Sequence, residues 1–570
     1  MRRPPAGRLV ALLVVMALAF TGIVVRLAVL QVKDASEYRE LARIQRLRRI
    51  AIPATRGTIL DRNGEELAMS VPAKAVFADP QLVQNPVSEA KAVALDLGLP
   101  YGRVHTAMLR PGRFVYIARG VDPQVAAALQ RRGLPGIGFL DESRRRYPAG
   151  PLASHALGFV GIDGNGLAGL ELQYQRLLGG RSGQRVVEAD PRGRLIPQAS
   201  AVGVPTIPGR DLYLTIDREI QYRAQAALES AVLENKAKGG TVIVMNPSTG
   251  EILAMATYPW FDPNHFSEAN PEYVRNRAVT DVYEPGSVNK VVTAAAALEE
   301  GVVTLKQRLW VPPFYRLYDK TFHDAHWHPT EEMTLGDIIT YSSNIGAIEV
   351  ARLLGQDRLA TYLHKFGLGA KTGVGFPGES NGILPPVDEW SGTDMGTIPI
   401  GQGVAVTPLQ MLSVYSTLAN GGLWVQPKLV RATRDPEGEI SEMRAGRTHR
   451  VISEHTAAVV TRMLAYAVDV GTGTEGQIPW YWVAGKTGTA RKPRIGGLGY
   501  TNQYVASFIG FVPASRPALA VAAVLDEPKT VFGGVAAAPL FRQVARFALA
   551  RLRIPPATKL PAPPHALTPP

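Results

Sequence analysis

Leu9 to Val25 is a run of 17 residues without a charge, and apolar residues resume after Arg26 as far as Val32. A helix of that length reaches about 25 Å, and the continuation extends it toward the roughly 30 Å of a bilayer core. Arg26, near the end, can snorkel to the interface. Arg2, Arg3 and Arg8 precede the run, whereas Lys33 and Arg39 beyond it are balanced by Asp34, Glu37 and Glu40. That asymmetry predicts a cytoplasmic N-terminus with everything else outside. Ala17-Leu-Ala19 offers a signal-peptidase site, but it lies inside the apolar run, so the span is expected to be retained as an anchor.

Past the span the patterning changes. Glu37 to Arg49 has helical composition and predicts a stalk. Asp61-Arg-Asn-Gly64 is a tight-turn signal between two apolar stretches, as in a hairpin. Residues 85–135 read as two small helices separated by Pro/Gly-rich turns, a surface insert. Leu212 to Ile216 alternates like a strand, and Asp217 to Leu233 reads as an amphipathic helix that Asp217 caps. Thr241–Met245 and Ile252–Ala256 flank Asn246-Pro-Ser-Thr-Gly250 as a second hairpin. Further strands are predicted at Trp480–Ala484, Tyr504–Val512 and Leu519–Leu525. Ala-rich helices are predicted at 288–300, 336–354, 356–366, 407–420 and 454–468. One antiparallel sheet drawn from both ends of a domain, with helices packed on it, accounts for this order. The last 16 residues contain seven prolines and predict a disordered tail.

The expected class is therefore α+β and multidomain. Its parts are a cytoplasmic tail at 1–8, a transmembrane helix at 9–29, a stalk and β-rich module at 30–208, a larger α+β domain at 209–552 and a Pro-rich tail at 553–570. With 570 residues, 46% hydrophobic and 19% charged, the chain has enough material for two or three full cores. A net charge of +13 suits an anionic membrane surface or an acidic polymer, and no run of clustered Lys/Arg with interleaved aromatics points to nucleic acid. The absence of cysteine excludes a thiol nucleophile, disulfides and cysteine-ligated metal.

Candidate chemistry centres on Glu284-Pro-Gly-Ser-Val-Asn-Lys290. Ser287 and Lys290 share one helix face a turn apart, near a helix N-terminus that favours developing negative charge. Taken alone, the pair is an N-cap serine beside a solvated lysine. Two further motifs follow in order, Ser342-Ser-Asn344 and Lys486-Thr-Gly-Thr489. A second Lys-Thr-Gly, Lys371 to Gly373, lies in a glycine-rich loop and is read as structural. Lys486 is preferred because it follows the strand-like Trp480-Tyr-Trp-Val483, and a peptide added to a sheet edge needs the triplet on a strand. His323, Asp324, His326 and His328 invite a metal site, but such a run need not aim its side chains at one point. It is read as a polar loop near the cleft, with no metal and no cofactor expected.

Together these motifs resemble the active site of the penicillin-recognising serine acyl transferases. Asn276-Arg277 to Asp281, Tyr283-Glu-Pro-Gly-Ser287, Gly401-Gln-Gly-Val-Ala-Val-Thr-Pro-Leu-Gln410 and Ala484-Gly-Lys-Thr-Gly-Thr-Ala490 are similar to class B penicillin-binding proteins, membrane-anchored peptidoglycan D,D-transpeptidases. The resemblance implies a non-catalytic pedestal module that takes in the 61–64 hairpin, Tyr147-Pro148, Gly158–Gly161, Gly169–Glu171 and Asp190–Arg194. It implies Ser287 as nucleophile and Lys290 as base, kept neutral by burial and by Lys486. Ser342 would relay a proton to the leaving amine, and Asn344 would hold the substrate amide and the lysine. Backbone N–H groups of Ser287 and Thr489 would form the oxyanion hole. Thr487, Gly488 and Thr489 would receive the terminal carboxylate of a D-Ala-D-Ala stem peptide. Implied partners are stem peptides, β-lactams, and a polytopic lipid-II glycosyltransferase with other division proteins. Asn at the third place of the second motif resembles septal rather than elongation enzymes. The rivals are an elongation enzyme, a β-lactamase and a penicillin-binding sensor. No Glu-x-x-Leu-Asn segment lies between the second and third motifs, which disfavours the hydrolase.

Overall fold

The computed structural model describes residues 6–33, 36, 47–188, 203–494, 496 and 499–556, and it divides into two compact units. The first comprises residues 1–55 and 180–208. Its helix Ala6–Ala28 continues into a wider turn, Val29–Lys33, and the side chains of the helix are exposed along its length. The apolar stretch Ala6–Val32 is long enough to cross a membrane. Also in this unit, Leu47–Ile52 pairs antiparallel with Gly183–Glu188, which in turn pairs with Gly203–Val204. The stalk expected as helix to Arg49 therefore ends in a strand at Leu47–Arg49, and residues 37–46 lie outside the described residues. Val186 and Val187 opposite Arg49 and Arg48 give this stretch a ladder partner that local composition could not announce. Asp190–Arg194 and most of the proline-rich tail also lie outside the described residues.

The second unit holds everything else, built on two sheets. The larger sheet runs in the order Ile440–Glu442, Val430–Arg434, Asp211–Leu214, Ile59–Leu60 and Glu66–Ala78, and the last strand carries both Val115–Val121 and Ile137–Arg146. Ile59–Leu60 and Glu66–Ala78 form the expected hairpin, with the Asp61 side chain accepting from the Asn63 and Glu65 N–H groups across the turn. This sheet crosses the expected boundary at 208, because strands from both sides pair within it. A buried charge cluster fastens its base. Glu171, in one of the stretches singled out in the sequence, accepts from Arg56 Nε at 2.6 Å and Arg145 Nε at 2.7 Å. The insert at 85–135 holds more than two helices: Pro86–Leu97, Tyr101–Met108 and Pro123–Gln130, with the strand Val115–Val121 among them. The strand is short and its Arg-Gly interruption hides its alternation.

The smaller sheet positions the chemistry. It is antiparallel, in the order Ile252–Tyr258, Gly239–Met245, Leu519–Asp526, Tyr500–Val512, Ala484–Pro493. Strand alternation separates its two faces. Val242, Val244, Val521 and Ala523 pack with the helices Arg218–Glu234 and Ala538–Arg551. Ile243, Met245, Ala520 and Ala522 face the helical core that contains Lys290–Glu299, Pro408–Ala419 and Glu454–Asp469. Asp217 caps Arg218–Glu234 as expected, accepting from the Glu219 and Ile220 N–H groups. Two expectations need correction. The helix predicted at 336–354 is two, Leu335–Tyr341 and Asn344–Leu354, broken where Ser342 turns left-handed (φ +65°) and Ser343 caps the second. Trp480–Val483 is not a strand. Ile478-Pro-Trp-Tyr481 is a turn closed by Tyr481 N–H to Ile478 O at 3.1 Å, with φ +72° at Trp480, and the strand starts at Ala484. Pro479 at the second turn position sets that geometry.

Candidate active site

Ser287 lies in a short 3-10 turn, Gly286–Asn289, that runs directly into the helix starting at Lys290. Its alanine-rich continuation is short enough in side chain to sit in the middle of the helical core. Three hydrogen bonds fasten the turn: Gly286 N–H to Gly401 O at 3.0 Å, Asn289 Nδ2 to Ile398 O at 2.9 Å, and Tyr415 Oη to Val288 O at 3.0 Å. Ser287 stays half-buried while Lys290 is 1% exposed. The serine is reachable and the lysine is not.

Lys290 joins the first motif to the second. Its Nζ donates to Ser342 O at 2.5 Å and to Asn344 Oδ1 at 2.7 Å, and lies 3.3 Å from Ser342 Oγ. Burial lowers its pKa well below the usual lysine value and the nearby Lys486 charge adds to the effect, while Asp324 opposes both. A neutral amine has two N–H donors and one lone pair. The two close acceptors use both donors, leaving the lone pair to take a proton.

Asp324 holds the second motif, a function the sequence did not reveal. Its carboxylate accepts from Ser343 Oγ at 2.6 Å, from Ile345 N at 3.1 Å and from Asn344 N, and meets His328 Nε2 at 3.0 Å. The loop that carries the four His and Asp residues is thus a buttress for Ser342 and Asn344. Among the described residues no group of His, Asp or Glu is arranged to hold a metal. The only sequence signal was proximity: an aspartate in a polar loop shortly before Ser-x-Asn.

The third motif sits on the edge strand Ala484–Pro493. Lys486 is fully buried, and burial brings its pKa down to about 7. Its Nζ lies 3.4 Å from Thr472 Oγ1, Thr487 Oγ1 and Thr487 O, and the two threonine hydroxyls are 2.9 Å apart. Thr472, in a Gly-Thr-Gly-Thr turn, is a second contributor without a signature in the sequence. Gly488 explains why the triplet ends in glycine. A Cβ there would stand 2.3 Å from Ser507 Oγ and 3.0 Å from the Pro285 carbonyl, so the strand and the turn that carries Ser287 approach at backbone distance. Thr489 Oγ1 accepts from Gly533 N at 3.1 Å. Lys371, by contrast, is exposed, away from all of these groups' contacts, and Thr372 beside it is held by Glu379.

The family described as the Penicillin binding protein transpeptidase domain matches residues 240–546, and the Penicillin-binding Protein dimerisation domain matches residues 51–214. Penicillin-binding protein PbpB of Mycolicibacterium smegmatis is 34% identical, over 93% of this chain and 88% of its own. Peptidoglycan D,D-transpeptidase FtsI of Escherichia coli is 34% identical, over 95% of this chain and 91% of its own. Among solved structures, penicillin binding protein 3 of Mycobacterium tuberculosis, complexed with aztreonam, superposes with a TM-score of 0.71 at 31% identity, covering 89% of this chain and 98% of that one.

Proposed function

Because the chain belongs to the class B penicillin-binding proteins, alongside FtsI and PbpB, we propose that it cross-links septal peptidoglycan through an acyl-enzyme at Ser287. It is a single-pass membrane protein and a serine-type D,D-transpeptidase, and it binds stem peptides and β-lactams as its family does. The observation that carries the residue assignment is the meeting of Lys290 with Ser342 and Asn344, one helical turn from Ser287.

The chemistry follows from that meeting. Ser287 Oγ attacks the carbonyl of the penultimate D-Ala and its proton passes to the Lys290 amine. The N–H groups of Ser287 and Thr489 receive the charge that develops on the carbonyl oxygen. As the tetrahedral adduct collapses, the C–N bond breaks and the terminal D-Ala leaves as an amine, taking a proton from Lys290 by way of Ser342 Oγ. Lys486 in its protonated form, with the Thr487 and Thr489 hydroxyls, holds the terminal carboxylate of the donor. An acceptor amine then attacks the ester, its proton returns to Ser287 Oγ, and one peptide bond has been exchanged for another without nucleotide energy.

The anchor is oriented with its N-terminus in the cytoplasm, as Arg2, Arg3 and Arg8 favour, so that Ser287 works outside the membrane. A polytopic lipid-II glycosyltransferase and other division proteins are its partners. A turnover assay on the full chain, with a D-Ala-D-Ala stem-peptide donor and an amine acceptor, tests the reading. D-Ala release matched by cross-linked product supports it. Release with hydrolysis alone would make the protein a hydrolase, and no release would make it a sensor.

A further inference from the structure

A second cleft, lined by none of the three motifs, lies where the pedestal strands Val115–Val121 and Ile137–Arg146 face the short turn Pro263–Glu268 of the catalytic domain. Its volume is about 550 Å³, and none of Ser287, Lys290, Ser342, Asn344 and Lys486 lines it. Four arginines do, Arg103, Arg119, Arg144 and Arg145, against a single carboxylate, Glu142. Arg119 already binds that carboxylate at 3.0 Å and Asp163 at 2.5 Å, so it is fully committed.

The arginines are unequally committed. Arg145 has a side chain only 2% exposed. Its Nε is on Glu171 and one terminal nitrogen is on Gly57 O at 2.7 Å, but its Nη2 is buried and has no hydrogen-bond partner among the described residues. An unmet cationic donor in that position costs stability, and an oxyanion in the cleft would offset its charge. Arg144 gives one hydrogen bond, to Gly120 O at 3.2 Å, and Arg103 is exposed with no partner among the described residues. The wall is also aromatic: Tyr116 is exposed under the Arg119 guanidinium, 5.1 Å from its ring centre, and Phe266 closes the far side. Guanidinium forks select carboxylate or phosphate oxygens, and ring faces accept the C–H surfaces of a sugar.

We propose that this arginine-lined cleft between the pedestal and the catalytic domain binds an oxyanion-bearing ligand of saccharide size. The oxyanion is a carboxylate on an acidic glycopeptide or a phosphate on a pyrophosphate-linked one. The site does not depend on the chemistry assigned to Ser287.

The test uses the full chain in detergent, first treated with benzylpenicillin to fill the Ser287 cleft. Calorimetric titrations then add N-acetylmuramyl dipeptide, the same compound with its carboxylates amidated, and inorganic pyrophosphate. The expected result is a Kd between about 10 μM and 1 mM for at least one anion, with the amidated compound silent. Binding of the dipeptide identifies the carboxylate source, and binding of pyrophosphate alone identifies the phosphate source. Arg103→Ala/Arg144→Ala should weaken binding by at least tenfold, while Lys91→Ala, on an exposed helix position outside the cleft, should leave it unchanged. An unchanged penicillin-labelling rate shows that the double variant is folded; if it is not, the exposed Arg103→Glu alone takes its place. Silence from both anions, equal binding of the amidated compound, or full affinity in the arginine variant would overturn the proposal. Failure of benzylpenicillin to acylate would count against Ser287 and not against this cleft.

Discussion

The chain spells Lys-Thr-Gly twice, and the two copies have opposite fates. Lys371-Thr-Gly373 lies in a loop. Its lysine is exposed, Thr372 gives both its N–H (2.7 Å) and its hydroxyl (2.5 Å) to Glu379, and Gly373 takes φ +81°, open to glycine. Lys486-Thr-Gly488 lies on a sheet edge. Its lysine is fully buried, Thr487 turns its hydroxyl to Thr472 and Lys486, and Gly488 lets the nucleophile turn approach. In the loop the triplet satisfies its own polar groups. On the strand it holds a lysine without a carboxylate partner among the described residues, near a second buried amine. The same three letters thus stand in two different environments, and placement rather than spelling sets them apart.

The largest expected effect separates the two copies directly. Lys486→Ala should slow acylation by benzylpenicillin by roughly 10³-fold, in the range seen when a charge-stabilising donor is removed. Lys371→Ala should change the rate less than about twofold, since a solvated lysine contributes little. Stopped-flow or gel-based labelling rates decide it, and equal losses would dissolve the distinction.

The difference in placement was legible in the sequence for a partly mistaken reason. The triplet does sit on a strand, but Trp480–Val483, taken as its beginning, is a turn set by Pro479. Long alternating or alanine-rich segments such as Leu519–Asp526 and Lys290–Glu299 were readable because their own periodicity matches their burial. Leu47–Arg49 was not, because a short edge pairing depends on a partner more than a hundred residues away. In the site, spacing revealed the groups that recur as motifs. Asp324 and Thr472 make tertiary contacts to Asn344 and Lys486, and no local pattern marks such residues.

The next effect concerns Asp324, which braces the second motif against Lys290. Asp324→Ala should lower the acylation rate by about 10²-fold, mainly in the chemical step, with Asp324→Asn partly restoring it. Because the Asp324 charge raises the Lys290 pKa, its removal should also move the acid limb of the pH profile to lower pH. A loop that had merely collapsed would not produce that shift.

The pH profile sharpens the comparison further. Acylation should rise with pH as Lys290 loses its proton, and fall above about 7 as Lys486 in the free enzyme loses the charge that holds the carboxylate. In Lys486→Ala the alkaline limb should vanish. The acid limb should move to higher pH, because the charge that depresses Lys290 is gone. Lys371→Ala should leave both limbs in place.

Stability should move in opposite directions at the two copies. The Lys486 pKa is lower folded, at about 7, than unfolded, so the unfolded chain binds more protons between those values. Stability attributable to Lys486 therefore rises with pH through that window, and at neutral pH its burial is a cost. Lys486→Met should raise stability at pH 7 by about 1–4 kcal/mol while abolishing rapid acylation. Thr372→Val removes a donor from the buried Glu379 and should lower stability by about 1–2 kcal/mol, leaving acylation intact. Thermal or urea unfolding of the detergent-solubilised chain measures both signs.

The most direct measurement is peptide mapping of the benzylpenicillin-treated protein by mass spectrometry. The adduct, one drug mass, should sit on the peptide that contains residues 284–290, on Ser287, and should be absent from a folded Ser287→Ala variant. An adduct on any other residue, or one that persists in Ser287→Ala, would contradict the account.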